Sequence, residues 1–131
     1  MKNINLNSDI GEGFGVYDIG NDAEMLKIVN SANIACGFHA GDPNVMDRVV
    51  KQSIKNGVSI GAHPGFNDLW GFGRRQIHMS TDEIEASVAY QIGALQAISA
   101  TNNAIVTHVK PHGALNNMSS LDPAIATAIA R

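Results

Sequence analysis

The 131-residue sequence has a single cysteine, Cys36, and only 16 % of its residues are charged. One cysteine excludes a disulfide framework and fits a reducing compartment. Nine basic residues against twelve acidic ones leave no basic surplus, which argues against a nucleic-acid or anionic-membrane partner. No apolar run approaches the ~20 residues of a membrane span, and no signal-peptide pattern follows Met1. These absences predict a soluble cytoplasmic protein.

Sequence signatures of nucleotide and metal sites are also missing. The chain contains no G-x-x-x-x-G-K-[ST] loop, no HExxH and no H-x-H pair. Histidine and carboxylate side chains are nevertheless acceptable ligands for zinc or manganese. The sequence therefore assigns no metal ligand and leaves open whether a divalent metal binds.

Glycine and histidine residues are clustered along the sequence. Many of the thirteen glycines fall in four short stretches, at 11–15, 36–41, 61–66 and 71–73. The five histidines lie in or beside such stretches, at positions 39, 63, 78, 108 and 112. Clustered glycine lets a backbone turn sharply or approach a ligand closely, so a site built from loops is expected.

The hydrophobic pattern repeats as strand, glycine-rich loop and helix. Strands are predicted over 3–10, 31–36, 58–63 and 104–110, and helices over 22–30, 42–57, from 80 onward, and over 122–131. Repeated units of this kind give parallel strands joined by right-handed crossovers. A closed eight-unit barrel takes ~250 residues, so the prediction is an α/β fold, one domain over 1–131, with the first four units of a (β/α) barrel.

The strands separate polar from apolar residues. Alternation places on one face Asn5, Asn7 and Asp9, then Ser59, Gly61 and His63, then His108 and Lys110. The other face carries Ile4 and Leu6, then Val58, Ile60 and Ala62, then Ile105, Thr107 and Val109. A polar face that lines a common lumen fits a barrel with a ligand on its axis.

Ionisable residues follow every predicted strand, whereas the loops that follow the predicted helices lack such groups of residues. Asp9 and Glu12 follow the first strand, His39 the second, His63 and Arg74 the third, and Lys110 and His112 the fourth. Active sites of parallel α/β folds lie at the carboxyl ends of the strands, so these side chains are expected to converge.

Several residues also have ordinary structural explanations. Asp42 precedes a proline and is expected to cap a helix. His78 is expected at the surface and Cys36 as a small buried residue. His108 fits either the core or the lumen, and Arg74 is either a surface charge or a ligand for a carboxylate or phosphate.

Five blocks of sequence resemble the LamB/YcsF family: SDIGEGFG (8–15), SANIACGFHAGDP (31–43), GAHPGFNDLWGFGRR (61–75), YQIGAL (90–95) and VKPHGAL (109–115). The resemblance implies a (β/α) barrel of the glycoside hydrolase/deacetylase type. It also implies ATP-dependent cleavage of 5-oxoproline to L-glutamate, with ATP as co-substrate and 5-oxoprolinase subunits B and C as partners. The chain is about half as long as family members, and Asn116 stands where members usually carry tyrosine.

Roles for the residues follow from the chemistry of a lactam. Asp9 or Glu12 is expected to act as general base, with His63 and His112 orienting water or stabilising developing charge. The expected substrate-binding residues are Asn7, His39, Arg74 and Lys110. Two alternatives stay open: a metal-dependent amide or acetyl hydrolase without ATP, and a non-catalytic protein that presents the substrate to its partners.

Four parallel strands cannot close into a barrel. The strands are expected in sequential order, with the first and last as open edges. Either a longer chain or a second copy of this one would then cover those edges, so homo-oligomerisation is a further expectation.

Overall fold

The computed structural model describes residues 4–131, which form a four-stranded parallel sheet with five helices. The strands are β1 (Asn7–Ile10), β2 (Ser31–Ala35), β3 (Ser59–His63) and β4 (Val106–Val109). The helices are α1 (Asp22–Met25), α2 (Pro43–Asn56), α3 (Thr81–Thr101), α4 (Gly113–Ser119) and α5 (Pro123–Ala130).

The sheet order is β1-β2-β3-β4, and all three pairings are parallel. This is the sequential order of the first strands of a (β/α) barrel, so the predicted fold class and strand order are confirmed. Within the described range, β1 and β4 each pair on one side only, which leaves the two expected open edges.

The helix boundaries follow local signals in the sequence. Asp42 caps α2 by accepting hydrogen bonds from the backbone N–H groups of Asn44 and Val45, at 2.8 and 2.9 Å. Gly57 ends that helix with φ of 68°, in the left-handed region that glycine adopts readily. Ser80 opens α3 with a capping box completed by Glu83. The predicted caps of these two helices are therefore confirmed.

Two apolar clusters hold the helices to the sheet. One lies between the sheet and helices α2 and α3 and includes Ile34, Val49, Ala62 and Leu95, all fully buried. The second joins α3 to α4 and α5 and consists of Phe66, Ile84, Val88, Ala114, Leu115, Ile125 and Ala128. The first cluster includes the apolar side chains of the strands, so the polar side of the sheet stays free for a site.

Some element predictions were wrong in detail. Strand β1 begins at Asn7, not at residue 3, which lies outside the described range. Helix α1 has four residues, not the nine predicted over 22–30, and is followed by turns because the chain must enter β2 at Ser31. Ile28, expected on the apolar face of that helix, is 64 % exposed. Helix α4 was not predicted, although Ala114, Leu115 and Met118 have helical spacing and pack in the second cluster.

Strand β4 departs from simple alternation. Its register shifts beside β3, so that Val106 pairs with Ile60 and His108 with Gly61. The Thr107 hydroxyl donates to the Ile60 carbonyl at 3.0 Å and faces the polar side, not the apolar side that alternation predicted. Because of this bulge Val106 packs on the core, while Ile105 and Val109 are 76 % and 40 % exposed.

No helix within residues 4–131 combines the length and the apolar character that a membrane crossing requires.

Candidate active site

The polar side of the sheet forms an open groove of about 460 Å³. It is lined by Asn5, Asn7, Ser31, Asn33, Ser59, Thr107, His108 and Lys110. Asp9, Asn33, Gly61 and His108 occupy one row across the four strands. A Cβ on Gly61 would lie 2.1 Å from His108 Nε2, so only glycine leaves room for His108 to cross β3. The polar lumen face that the sequence predicted is present, and it leads to the carboxyl ends of the strands.

At that end, four ionisable side chains from four different loops or strand ends come together. Glu12, His39, His63 and His112 each bring one nitrogen or oxygen atom within 4.8 Å of the others. The three histidines are at most 4 % exposed, and the Glu12 side chain is 19 % exposed. We refer to these four residues as the histidine–glutamate cluster. The structure thus brings together the side chains that follow β1, β2, β3 and β4, as expected for parallel strands.

Two backbone carbonyls fix the orientation of two of the histidine rings. His63 Nδ1 lies 2.5 Å from the Lys110 carbonyl oxygen, and His112 Nε2 lies 2.7 Å from that of Phe72. A carbonyl oxygen only accepts, so each of these nitrogens donates its proton outward. The other nitrogens, His63 Nε2 and His112 Nδ1, face each other at 3.0 Å.

Glu12 is the carboxylate at the centre of the histidines. Its Oε1 lies 3.3 Å from His39 Nε2, 3.5 Å from His112 Nδ1 and 3.8 Å from His63 Nε2. The ring of His39 stacks on that of His112, with centroids 3.7 Å apart and an interplanar angle of 4°. Burial lowers the pKa of His39, although its hydrogen bond with Glu12 opposes that shift. Burial and the neighbouring His39 charge lower the pKa of His112 to about 4.

Asp9 and Lys110 form an ion pair at the edge of this cluster. The Lys110 ammonium donates to both Asp9 oxygens at 2.7 and 2.9 Å, and Asp9 Oδ2 lies 3.3 Å from His63 Nε2. Partial burial raises the pKa of Asp9, but the contact with His63 and the hydrogen bonds from the Lys110 ammonium outweigh it and hold the pKa below its usual range. Asp9 therefore stays ionised at neutral pH, beside the groove.

The long loop between β3 and α3 closes over the histidines. Gln91 of α3 is fully buried and pins this loop, accepting from the Gly65 N–H at 2.9 Å and donating to the Gly65 carbonyl at 3.0 Å. Farther along, Arg75 forms a bidentate pair with Asp68, which holds the pKa of that carboxyl at about 2. These contacts place Phe72 and Gly73 against His39 and His112.

Gly73 is expected to be essential for this closure. It has φ of 62°, and a Cβ there would lie 2.7 Å from the Cβ of His39 and 2.9 Å from His112 Cδ2. Gly73→Ala should therefore displace the histidines and lower catalytic turnover in a full-length chain by at least about tenfold. Gly57→Ala is the matched control, because Gly57 has a similar φ of 68° with nothing within 4 Å of the added Cβ. Equal turnover in the two variants would show that the close approach at Gly73 is unimportant.

Of the other residues that the sequence predicted, Asn7 and Arg74 lie outside the histidine–glutamate cluster, whereas His39 lies within it. Asn7 is in the groove and accepts from Asn33 Nδ2 at 3.1 Å. Arg74 is exposed, with its guanidinium 5.2 Å from the centre of the Phe72 ring. His39, predicted to bind substrate, has no exposed side-chain area, and its Nε2 lies 3.3 Å from Glu12 Oε1. Cys36 is buried, which raises its pKa to about 12 and makes it a poor nucleophile.

The sequence reasoning missed Asn33 as a residue of the site. Its amide donates to Asn7 and to Asp9, at 3.1 and 3.0 Å, and its oxygen lies 3.1 Å from His108 Nε2. It is only 1 % exposed and links three strands on the groove side. A signal was available, because Asn33 is the one amide side chain in the buried strand SANIA.

The fold and site define an α/β protein built on barrel-type parallel strands, with histidines and carboxylates gathered at their carboxyl ends. Residues 4–131 match the model of the LamB/YcsF family, and the chain belongs to that family. The resemblance seen in the sequence blocks is thereby confirmed.

Several curated relatives carry names that designate the A component of 5-oxoprolinase. The chain is 58 % identical over 131 residues to the protein of that name in Natranaerobius thermophilus, and covers 51 % of it. It is 59 % identical over 128 residues to the protein of the same name in Rhodopseudomonas palustris, with 97 % of this chain and 50 % of that protein covered. The chain thus spans about half the length of the curated relatives it matches.

A solved structure supports the fold. The crystal structure of a lactam utilization protein from Thermus thermophilus superposes with a TM-score of 0.96 at 46 % identity. The match covers 98 % of this chain and 52 % of that one.

Proposed function

We propose that this chain provides the lactam-opening site of the A component of an ATP-dependent 5-oxoprolinase, which converts 5-oxoproline to L-glutamate together with subunits B and C. One combined observation carries the proposal. The histidine–glutamate cluster closes the end of an open polar groove, in a chain 55–59 % identical to proteins named as the A component of 5-oxoprolinase.

The chemistry of the substrate explains why ATP is required. Resonance within the lactam amide makes its carbonyl carbon a poor electrophile. Transfer of the γ-phosphoryl group of ATP to the lactam oxygen gives a phosphorylated imidate, whose ring carbon accepts water. The ring C–N bond then breaks, and the nitrogen takes a proton to become the amino group. A second water hydrolyses the remaining acyl phosphate to the side-chain carboxylate of glutamate and inorganic phosphate.

The residues of the site suit the water-dependent steps. Asp9 and Glu12 both lie beside His63, so either carboxylate can take the proton of the attacking water directly or through an imidazole. The buried His63 and His112 rings are held by backbone carbonyls, which keeps them aligned as charge develops. Burial lowers the pKa of His112 to about 4, so its imidazole is neutral at pH 7 and can accept that proton.

The groove suits a small molecule with a carboxylate. Lys110 lies at its edge, and its side chain is 45 % exposed, so the ammonium can contact a carboxylate or phosphoryl group while paired with Asp9. Asn7 and Asn33 add amide groups to the same surface. Arg74, exposed on the loop between β3 and α3, stays a predicted second cation for such a group.

The test is turnover of 5-oxoproline by a chain of the relatives' full length, alone and with subunits B and C. We expect glutamate and phosphate in equal amounts, only when ATP and both partners are present. Turnover without ATP would favour the metal-dependent amide hydrolase instead. Binding of 5-oxoproline without turnover in the complete mixture would identify a substrate-presenting protein. The 131-residue chain, assayed in parallel, shows whether this half suffices.

A further inference from the structure

We propose that Glu12, His39, His63 and His112 form a binding site for one divalent transition-metal ion of the zinc class. The inference goes beyond the proposed reaction, because it concerns what the site binds before any substrate arrives. It would stand even if the substrate were not 5-oxoproline.

The protons on two of the imidazole rings have fixed positions. His63 Nδ1 and His112 Nε2 donate to backbone carbonyls, so in the neutral rings His63 Nε2 and His112 Nδ1 carry lone pairs. These two nitrogens are 3.0 Å apart, and neither neutral ring has a proton to place between them. Two facing lone pairs at hydrogen-bond distance repel each other unless a cation lies between or beside them.

A single added proton is a poor solution for this site. It would bridge only His63 Nε2 and His112 Nδ1, although the Asp9 and Glu12 carboxylates lie close enough to pair with its charge. The Glu12 carboxylate and His39 Nε2 face the same space and would not share that proton. A metal ion accepts electron pairs from all four groups at once.

The spacing of the four atoms matches metal coordination. Ligands at ~2.0–2.2 Å around a tetrahedral ion are about 3.3–3.6 Å from one another. The observed separations are 3.0 Å between His63 Nε2 and His112 Nδ1, and 3.3, 3.5 and 3.8 Å from Glu12 Oε1 to the three histidines. Among His63, His112 and Glu12, shifts of about half an ångström or less would therefore admit the ion.

His39 differs from the other two histidines. Its ring lies parallel to that of His112, so it must tilt to point a lone pair at an ion held in the plane of His112. Its Nδ1 is buried and has no hydrogen-bond partner among residues 4–131, so no contact through that nitrogen holds the ring in its present orientation. We therefore assign His63, His112 and Glu12 as the principal ligands and His39 as the weaker fourth.

The surroundings also resemble those of metal sites. Ligating histidines usually donate their other ring N–H to a carbonyl or carboxylate, as His63 and His112 do here. A set of three nitrogens and one carboxylate suits zinc, and also accommodates manganese, cobalt or nickel. A bound ion of this kind lowers the pKa of a coordinated water, which is the activation that amide hydrolysis needs.

The test is metal binding by a full-length chain purified with a chelator, titrated with Zn²⁺ alone and followed by calorimetry and elemental analysis. We expect one equivalent to bind and the melting temperature to rise with Zn²⁺ concentration. His63→Gln and His112→Gln should each weaken binding at least about a hundredfold, and His39→Gln by about tenfold. Co²⁺ should give the visible absorption of a tetrahedral site with nitrogen ligands.

His78→Gln is the matched control, because His78 is exposed and lies outside the cluster. It should leave Zn²⁺ affinity unchanged.

If a histidine variant does not fold, Glu12→Gln provides the second test, since that side chain is partly exposed, and it should weaken binding at least about tenfold. The proposal is overturned if folded protein binds none of Zn²⁺, Mn²⁺, Co²⁺ or Ni²⁺ stoichiometrically, or if binding survives both His63→Gln and Glu12→Gln. Neither result depends on turnover, so failure of the 5-oxoproline assay leaves this test intact.

Discussion

Replacing Asp9 by asparagine in a full-length chain is expected to lower kcat for 5-oxoproline by about 10²–10⁴-fold, with a smaller change in KM. The substitution keeps the size of the side chain but removes the negative charge beside His63 Nε2 and the Lys110 ammonium. That charge is permanently present at neutral pH, because its hydrogen bonds keep the pKa of Asp9 low. Steady-state kinetics in the presence of ATP and the partner subunits would measure the loss.

Stability should change little in the same variant. The Asp9 side chain is 34 % exposed, and an ion pair at such a position contributes about 0–1 kcal/mol to the free energy of unfolding. Asp47→Asn is the matched control, since Asp47 makes a similar contact with Lys51, at 2.6 Å on the surface of α2. We expect Asp47→Asn to retain full activity. If Asp9→Asn were instead active but clearly less stable, Asp9 would have a structural role only.

A raised KM with unchanged kcat would point to another role for the pair. Asp9 would then serve mainly to hold Lys110 in position for the substrate carboxylate, and Lys110→Met should reproduce the effect. Comparing the two variants therefore separates proton transfer from substrate binding.

The features that the sequence predicted correctly are those set by local chemistry or by fold-wide rules. The Asp42 and Ser80 caps depend on hydrogen bonds to backbone groups within three residues, so the sequence shows them directly. The meeting of His63 and His112 follows from parallel strands, whose carboxyl ends share one edge of the sheet. Neither inference required the packing of distant residues.

The features that could not be predicted depend on contacts between distant segments. The bulge at Thr107 is stabilised by a bond to Ile60, and the orientation of His112 by the carbonyl of Phe72, 40 residues away in sequence. The four atoms of the histidine–glutamate cluster come from four loops or strand ends, so they have no fixed spacing along the chain. For this reason the absence of a linear metal motif said little about the cluster.

The 131-residue chain by itself is expected to self-associate at micromolar concentration. Strands β1 and β4 each have one unpaired side within the described residues, and unpaired edges favour pairing with another chain. Apolar side chains next to these edges add to the effect, since Leu6 is 51 % and Ile105 is 76 % exposed. Light scattering coupled to size-exclusion chromatography should therefore show a dimer or a larger species.

Two variants distinguish self-association through the edges of β1 and β4 from self-association through exposed apolar residues elsewhere. Leu6→Lys combined with Ile105→Lys should weaken self-association at least about tenfold, because burying each apolar side chain is worth ~1.5–3 kcal/mol and lysine repels its copy. Trp70→Lys is the control: Trp70 is 98 % exposed but lies on the loop between β3 and α3, so its replacement should change association little.

A chain of the relatives' full length should stay monomeric at these edges, since further strands would pair with β1 and β4. A monodisperse 131-residue monomer that unfolds cooperatively would show that open edges of this kind are tolerated in water, and that neither a second copy nor a longer chain is needed to cover them.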